Sequence, residues 1–351
     1  METNEAIQTV LSAYSPIFEL RAAEALGNAG GFSGAALWRV VTPAGVFALR
    51  RWPIGNPTPE QLREMHDVLE KVVMAGVNYV PLPVKSASGA SYVSVESRLW
   101  QLEPWLPGKA DFWQNPSSAR LQAAMEGLAR FHLTAATAGG IGGFGVSPVM
   151  QRRQRELQRM LGAWFEHVLL PCVPAGVWPE FDELAAELVA RLRKLRHWLL
   201  RILAVRLPKV PLQPVIRDVW HDHVLFEGER LSAIVDFGCL GVDSVAVDVA
   251  RLAGSLIGED KKRWAEALRY YTAVRPLAPS ERWLAAWGRV TETAGGGLVW
   301  LNRHYVKRIV WDRRPGILTR VRHFIQRLDQ LAASGLVGRS AAELDSELHA
   351  A

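Results

Sequence analysis

The sequence predicts an α+β chain of two lobes: a small N-terminal β-sheet lobe with one helix, then a larger, mostly helical C-terminal lobe. Three observations predict it. The first hundred residues carry strand signals around a single strong helical period. A stiff Pro- and Gly-containing connector follows, Glu103-Pro104-Trp105-Leu106-Pro107-Gly108. Beyond it the patterns are helical, apart from one strand-rich island over 214–237. At 351 residues the chain is long for one core and comfortable for two lobes.

The elements follow in order. Residues 35–41 and 46–51 are apolar-rich runs joined by Thr42-Pro43-Ala44-Gly45, a hairpin signal. Leu62, Met65, Val68, Leu69, Val72 and Val73 then recur at helical spacing over 59–75, with Pro59 suited to the first turn and Gly76 to the stop. Strands are expected at 82–85, 92–95 and 99–103. The boundaries read as a lobe over 1–103, a hinge over 104–108 and a helical lobe over 109–351. Amphipathic periods place helices over 117–136, 149–169, 180–206, 260–273, 279–300 and 315–333.

Apolar residues make up 49% and charged residues 22%, so a packed core is expected and wholesale disorder is not. The formal charge of +6, mostly from Arg, favours anionic ligands such as nucleotides, though a solvated surface gives the same excess. No basic stripe with interleaved aromatics and no zinc spacing points to nucleic acid. Cys172 and Cys239 lie far apart, which argues against a disulfide framework and for a reducing cytoplasm. The start of the chain lacks a signal-peptide pattern, and apolar runs such as 198–205 are broken by Arg201 and too short for a bilayer. The expectation is a soluble, cytoplasmic protein without a membrane or nucleic-acid partner, and no protein partner is readable.

The island carries the chemistry. Residues 224–226 and 231–235 are apolar runs joined by Glu227-Gly228-Glu229-Arg230, a hairpin that would bring His223 and Asp236 together. Phosphoryl transfer needs an acceptor for the substrate hydroxyl proton, ligands for a divalent metal, and donors that hold the phosphates in line. Asp218 on a loop, His223 five residues on, and Asp236 after the next strand suit the first two tasks. A lone Asp before a strand is usually a cap or turn residue. The joint spacing of Asp218, Asp236 and Asp248 argues for more.

This segment resembles the catalytic and metal-binding loops of the aminoglycoside phosphotransferase and choline kinase-like family, whose pattern is His-Gly-Asp-x-x-x-x-Asn followed by Ile-Asp-Phe/Cys-Gly. Ile216-Arg217-Asp218, His223 and Val235-Asp236-Phe237-Gly238 match it, and Val247-Asp248-Val249-Ala250 resembles the family's helix start. The resemblance implies a bilobal protein-kinase-like fold. It makes Asp218 the catalytic base, Asp236 with His223 the metal ligands, and Asp248 a brace for the catalytic loop. Upstream, Gly30, Gly31, Ser33 and Gly34 resemble the family's glycine-rich loop, where backbone N–H groups approach phosphate oxygens. Arg50 stands where the family has a phosphate-binding cation, and Glu64 is similar to the Glu that pairs with it. Glu103, at the edge of the hinge, joins the nucleotide-binding set. The implied cofactors are ATP, with GTP open, and Mg²⁺ or Mn²⁺.

Three departures mark the chain as atypical. Ile216 and Arg217 replace the family's His and Gly, and His223 replaces its metal-binding Asn. Asn offers a hard oxygen that suits Mg²⁺, whereas imidazole suits Mn²⁺ or other transition ions better. Asp222 is an extra carboxylate, a ligand or a solvent-facing residue. His221-Asp222-His223 lacks a further His or Cys cluster to complete a structural zinc set. Trp220 and His221 read as packing residues, and Cys239 as a small buried filler.

The function implied is transfer of the ATP γ-phosphoryl group to the hydroxyl of a small molecule. The alternative is a degenerate member that binds nucleotide or acts as a scaffold without transfer. Eleven residues between Asp236 and Asp248 leave no space for a protein kinase's activation loop. Nucleotidyl transfer stays open. Arginines over 151–159 and 191–206, on helices expected to wall the acceptor site, lean away from polycationic acceptors towards neutral or anionic ones.

Overall fold

A computed structural model describes residues 4–27, 34–139, 142–174, 176–309, 311 and 314–344. The chain opens with a helix that the sequence reading did not include, α1 (Asn4–Ser12). Its Ile7, Val10 and Leu11 lie on one face by their i, i+3, i+4 spacing and are buried against Trp38, Leu49, Trp100 and Leu102. Strand β1 (Ala22–Gly27) follows, also unexpected, then β2 (Ala36–Thr42), β3 (Gly45–Arg51), α2 (Pro59–Met74), β4 (Val93–Val95) and β5 (Arg98–Pro104).

The strands form one antiparallel sheet in the order β1-β2-β3-β5-β4. Leu49 pairs with Leu102 and Arg50 with Gln101, so alternation sends the leucines to the α1 core and the polar pair to the opposite face. Helix α2 begins as expected: Thr58 caps it in a reciprocal box with Gln61, and Pro59 takes the first turn. The strand expected at 82–85 is absent. Val84 N–H does reach Leu102 C=O (2.8 Å), but Pro81 and Pro83 have no N–H to continue a ladder.

Beyond the connector come α3 (Ser118–Gly139), β6 (Phe144–Gly145), α4 (Pro148–Leu161), α5 (Pro179–Leu203), β7 (Val210–Pro211) and β8 (Gln213–Val215). The hairpin β9 (Val224–Glu227) and β10 (Arg230–Ile234) is present as expected, followed by β11 (Gly241–Asp243), α6 (Val245–Ile257), α7 (Lys261–Val274), α8 (Pro279–Leu301) and α9 (Arg314–Ala333). The single helix expected over 149–169 is broken. Gly162 turns the chain so tightly that a Cβ there would lie 2.8 Å from the Gln158 carbonyl, and a separate wide turn, Phe165–Leu169, follows. Trp264, Trp287, Phe131 and Phe181 fill the helical core. Within it the Glu259 carboxylate is fully enclosed but well partnered, by Arg289, Arg327 and Thr293.

The chain divides into two compact units, Met1–Ala110 with His223–Phe237, and Asp111–Asp222 with Gly238–Ala351. The hairpin, expected inside the helical lobe, is thus built into the first unit. The reason is a set of bonds to the connector, to Lys109 just after it and to Tyr79. Lys109 and Phe226 exchange both backbone hydrogen bonds (3.0 and 2.9 Å), Ile234 N–H donates to Tyr79 C=O (2.7 Å), and Ser232 Oγ donates to Pro107 C=O (2.7 Å). Ser232 sits at a register shift between Leu231 and Ala233, a bulge that re-aims its side chain. No helix among the described residues is long and apolar enough to cross a membrane. Both cysteines are exposed and outside any disulfide, so Cys239 is not the buried filler expected of it.

Gly108 makes this docking possible. Its φ of +107° is a glycine conformation, and a Cβ there would lie 2.0 Å from Ser232 Oγ and 3.0 Å from Phe226 C=O. Gly108→Ala is expected to cost at least ~1–3 kcal/mol. Urea denaturation should show a lower midpoint, and an unchanged midpoint would contradict the tight approach.

Candidate active site

The residues expected to bind nucleotide lie within the first unit where they are described. Arg50, on β3, donates from Nη1 to Asp236 Oδ1 (2.9 Å), and its guanidinium lies over the Trp52 ring (5.0 Å). Strand alternation puts Gln101 and Glu103 of β5 on the same face. Glu103 is buried and accepts from Gln101 Nε2 (2.6 Å). Burial raises its pKa, the Arg50 charge opposes that, and Asp236 adds to the rise. Gln101 Oε1 in turn accepts from Trp52 Nε1 (3.3 Å) and His66 Nε2 (3.1 Å), and His66 Nδ1 faces Ser91 Oγ (2.8 Å). The network is satisfied when His66 is the neutral Nε2–H tautomer with Ser91 donating. Burial agrees, pushing the His66 pKa down to about 4.

Asp236 follows β10 with φ +64°, a left-handed conformation that Asp tolerates better than most residues because its short polar side chain can bond locally. His223, at the hairpin's other end, accepts at its carbonyl from Val235 N–H (2.9 Å) and holds Nε2 3.6 Å from Asp236 Oδ2. No group of three or more His, Cys, Asp or Glu side chains among the described residues could cage a metal by itself. One carboxylate and one imidazole would suit a divalent cation that takes its other ligands from elsewhere.

The loop expected to be catalytic belongs to the second unit. Asp248, in the first turn of α6, is fully buried and accepts from two consecutive backbone donors, Ile216 N–H at Oδ2 and Arg217 N–H at Oδ1 (both 2.7 Å). His132 of α3 approaches Asp248 Oδ2 through Nε2 (3.0 Å) and Tyr271 OH through Nδ1 (2.8 Å). Burial lowers the His132 pKa, although Asp248 favours its charge. This is the brace that the resemblance implied. Arg217 has φ +66° where the family has glycine, and its Nε donates to Cys239 C=O (2.7 Å) over Gly241. Ile216 is buried as an apolar plug.

Asp218 ends this loop, partly exposed, its Oδ1 in a close ion pair with Arg251 Nη2. Arg251 also binds Glu292 Oε1 (2.7 Å), whose other oxygen is held by Arg153. Burial would raise Glu292, but Arg153 and Arg251 outweigh it and hold its pKa at about 2. Asp222 is exposed and meets Arg320 (3.4 Å), while His221 is buried and stacks on Trp113 (3.6 Å).

Of the expected residues, Arg50, Glu103, His223 and Asp236 lie together in one unit, and Asp218 stands in the other. Glu64 is exposed on α2 and is not paired with Arg50, whose cation is taken by Asp236. Gly34 has φ +76°. Gly30, Gly31 and Ser33 lie outside the described residues. Arg251, Glu292 and Arg320 were missed. The only signal was Arg251 standing three residues after Asp248 on one helix, hence on the same face. The Arg191 and Arg196 expected to wall an acceptor are structural: Arg191 pairs with Asp329, and Arg196 caps the carbonyls of Leu161 and Gly162.

Residues 24–292 match the phosphotransferase enzyme family APH, and the chain belongs to it. Among related sequences, homoserine kinase of Bradyrhizobium diazoefficiens is 29% identical over 184 residues, 50% of this chain and 46% of that protein. Homoserine kinase of Brucella ovis is 28% identical over 207 residues, 57% and 56% of the two chains. The chain thus matches about half the length of these relatives. Among solved structures, an aminoglycoside phosphotransferase from Alicyclobacillus acidocaldarius superposes with a TM-score of 0.65 at 18% identity, covering 98% of this chain and 96% of that one. A spectinomycin phosphotransferase in complex with ADP and spectinomycin gives 0.59 at 11%, covering 95% and 99%. The fold is that of these kinase-like phosphotransferases: a small antiparallel-sheet region and a larger helical part.

Two outcomes are expected here. Asp248→Ala strands two buried N–H groups, each worth ~1–3 kcal/mol, so urea denaturation should show a loss of at least ~2 kcal/mol. Buried neutral His66 takes up a proton on unfolding whenever the pH lies between its folded value of about 4 and the ordinary ~6.5. Stability should therefore fall as the pH drops through that window, by up to ~1.4 kcal/mol per pH unit from this residue. The fall should be shallower in His66→Gln, and an equal slope in both proteins would show that His66 is not buried neutral.

Proposed function

We propose that this protein transfers the γ-phosphoryl group of ATP to a hydroxyl of a small molecule. The observation that supports it most is the grouping of Arg50, Asp236 and His223. It offers a cation for phosphate oxygens and a hard carboxylate for a divalent metal in one place, as phosphoryl transfer requires. The spectinomycin phosphotransferase crystallised with ADP, and an amicoumacin kinase crystallised with AMP-PNP and Ca²⁺, support nucleotide use within this fold.

In this reading Arg50 and the loop carrying Gly30, Gly31, Ser33 and Gly34 orient the phosphates. Asp236 and His223 would hold Mg²⁺ or Mn²⁺, which when bound neutralises charge on the phosphate oxygens. Asp218 accepts the proton of the acceptor hydroxyl as its oxygen bonds to the γ-phosphorus. The bond from that phosphorus to the β,γ-bridging oxygen breaks, and ADP leaves with the electron pair. The Asp248 brace keeps the backbone before Asp218 fixed, so the carboxylate does not have to be ordered at each turnover. The homoserine kinases make a hydroxy amino acid a first acceptor to try.

One observation favours the second reading, nucleotide binding without transfer: the Asp218 carboxylate is held by Arg251. Kinetics and thermal stabilisation separate the two. Asp218→Asn should reduce turnover by roughly two to four orders of magnitude while sparing stabilisation by ATP with Mg²⁺ or Mn²⁺. Asp236→Asn, which keeps a residue tolerant of φ +64°, should lose the metal-dependent part of that stabilisation, ~2.7 kcal/mol at a hundred times the dissociation constant. Full turnover by Asp218→Asn would remove the base assignment, and stabilisation without turnover under either metal would favour the second reading.

A further inference from the structure

Strand β8 leads straight into Asp218, and one small cluster of side chains ties it down at both ends. At its start Gln213 is buried. The Gln213 Nε2 donates to the His132 carbonyl of α3 (2.6 Å), and its Oε1 accepts from Arg275 Nη2 (3.1 Å). Just past its end, Asp248 takes the Ile216 and Arg217 N–H groups, and the His132 ring meets Asp248 in turn. His132 therefore serves the segment 213–217 twice, through its carbonyl and through its ring. Helix α7 and its last turn serve it twice as well. Tyr271 OH meets His132 Nδ1 (2.8 Å), and Arg275, whose own N–H donates to the Tyr271 carbonyl (3.0 Å), meets Gln213. Glu281 holds the Arg275 guanidinium (2.9 Å) and also accepts the Ala278 N–H at the start of α8 (2.8 Å).

The contacts of His132 admit one protonation pattern. With the proton on Nε2, the ring donates to Asp248 and Nδ1 accepts from the Tyr271 hydroxyl, so each group is satisfied. With the proton on Nδ1, a lone pair faces the Asp248 carboxylate and the Tyr271 hydroxyl has no acceptor. With both nitrogens protonated, that hydroxyl is orphaned again, at a site with no exposed surface. The groups facing the ring are Asp248, Tyr271, Arg275 and Glu281. Burial lowers the His132 pKa, Asp248 and Glu281 oppose that, and the Arg275 charge adds to it. Burial also raises the Tyr271 pKa, so the phenol keeps the proton that it donates. A segment tied only at 216 and 217 could pivot about that point. The second tie, at Gln213, removes the pivot, so the order that catalysis needs is present before substrate arrives.

We propose that Tyr271 and Arg275 are positioning residues for the catalytic base. Tyr271 turns the His132 N–H towards Asp248, Arg275 sets the Gln213 amide, and together they hold the segment that delivers Asp218. The proposal rests on Asp218 being the base of a phosphotransferase. Both residues act through the backbone before Asp218 and not on a reacting atom.

The test uses the full chain and three readouts. Imidazole ¹⁵N–¹H correlation, with His132→Gln identifying the resonance, should show a protonated Nε2 and a bare Nδ1 across the ordinary imidazole range, about pH 6 to 8. Hydrogen exchange should find the Ile216 and Arg217 amides protected. Tyr271→Phe should speed their exchange about ten-fold or more, with α9 and the β9–β10 hairpin exchanging as in the wild type. Arg275→Met should act likewise over 213–217, and Arg275→Lys, which keeps a donor and the charge, should do so less. The third readout is ADP release with ATP and Mg²⁺ or Mn²⁺, using L-homoserine or water alone as acceptor. Tyr271→Phe should lower kcat about ten-fold at unchanged KM for ATP, and should add no further loss in an Asp218→Asn background. A protonated Nδ1 overturns the proposal, as do exchange rates at 216 and 217 that ignore both residues. Faster exchange with undiminished kcat overturns the positioning role, and so does an equal loss in the Asp218→Asn background. No ADP release from the wild-type protein counts against the phosphotransferase reading and not against the hold on the loop, which the ¹⁵N and exchange results decide by themselves.

Discussion

A single enclosed carboxylate fixes the backbone that leads into Asp218. Asp248 has no exposed surface, yet it faces two main-chain donors and one imidazole. A buried polar group is tolerated only where its partners replace water, so the geometry of all three is specified together. Arg217 is held in a left-handed conformation that an arginine does not prefer, and the Asp248 bond to its N–H is part of what keeps it there. A glycine at this position would meet the same backbone requirement without strain. Here the side chain compensates by reaching the Cys239 carbonyl.

The first unit solves a parallel problem with neutral groups. One face of its sheet is apolar and closed by α1, and the other carries Arg50, Gln101 and Glu103. A chain of hydrogen bonds from Ser91 through His66 and Gln101 to Glu103 fixes the donor and acceptor sense at every step. Reversing the Gln101 amide would set its NH₂ group against two N–H donors, so the network admits one arrangement. Arg50 therefore stands on a rigid floor, with Trp52 beneath it and Asp236 alongside.

Much of this was legible in the sequence, for reasons that differ by residue. The helices of the C-terminal region show because their apolar faces repeat over many turns, and the hairpin shows because Glu227-Gly228-Glu229-Arg230 separates two short apolar runs. Asp236 and His223 were expected together because a hairpin of that length returns its ends to one place. Helix α1 is only nine residues long and its three buried positions are a weak periodic signal. The 82–85 strand was misjudged because apolar content was weighed above the missing N–H groups of Pro81 and Pro83. Arg251, Glu292 and Arg153 come from three separate helices, α6, α8 and α4, and no local spacing links such partners. Glu64 was expected to neutralise Arg50, but a carboxylate on the hairpin takes that place instead.

The hairpin has a consequence for how the protein comes into being. The first unit needs His223–Phe237, so its N-terminal portion cannot be completed until the Asp111–Asp222 segment of the second unit has been synthesised. Joining the two pieces means closing a loop over the whole stretch Asp111–Asp222, an entropic cost that grows only slowly with length but makes the contact order high. Until then the connector edge at Lys109, which Phe226 later occupies, presents unpaired backbone groups to any passing strand. A chain interrupted after residue 110 would carry its sheet but not the segment bearing Asp236, so neither unit is a separable module in the genetic sense, although each is compact in space.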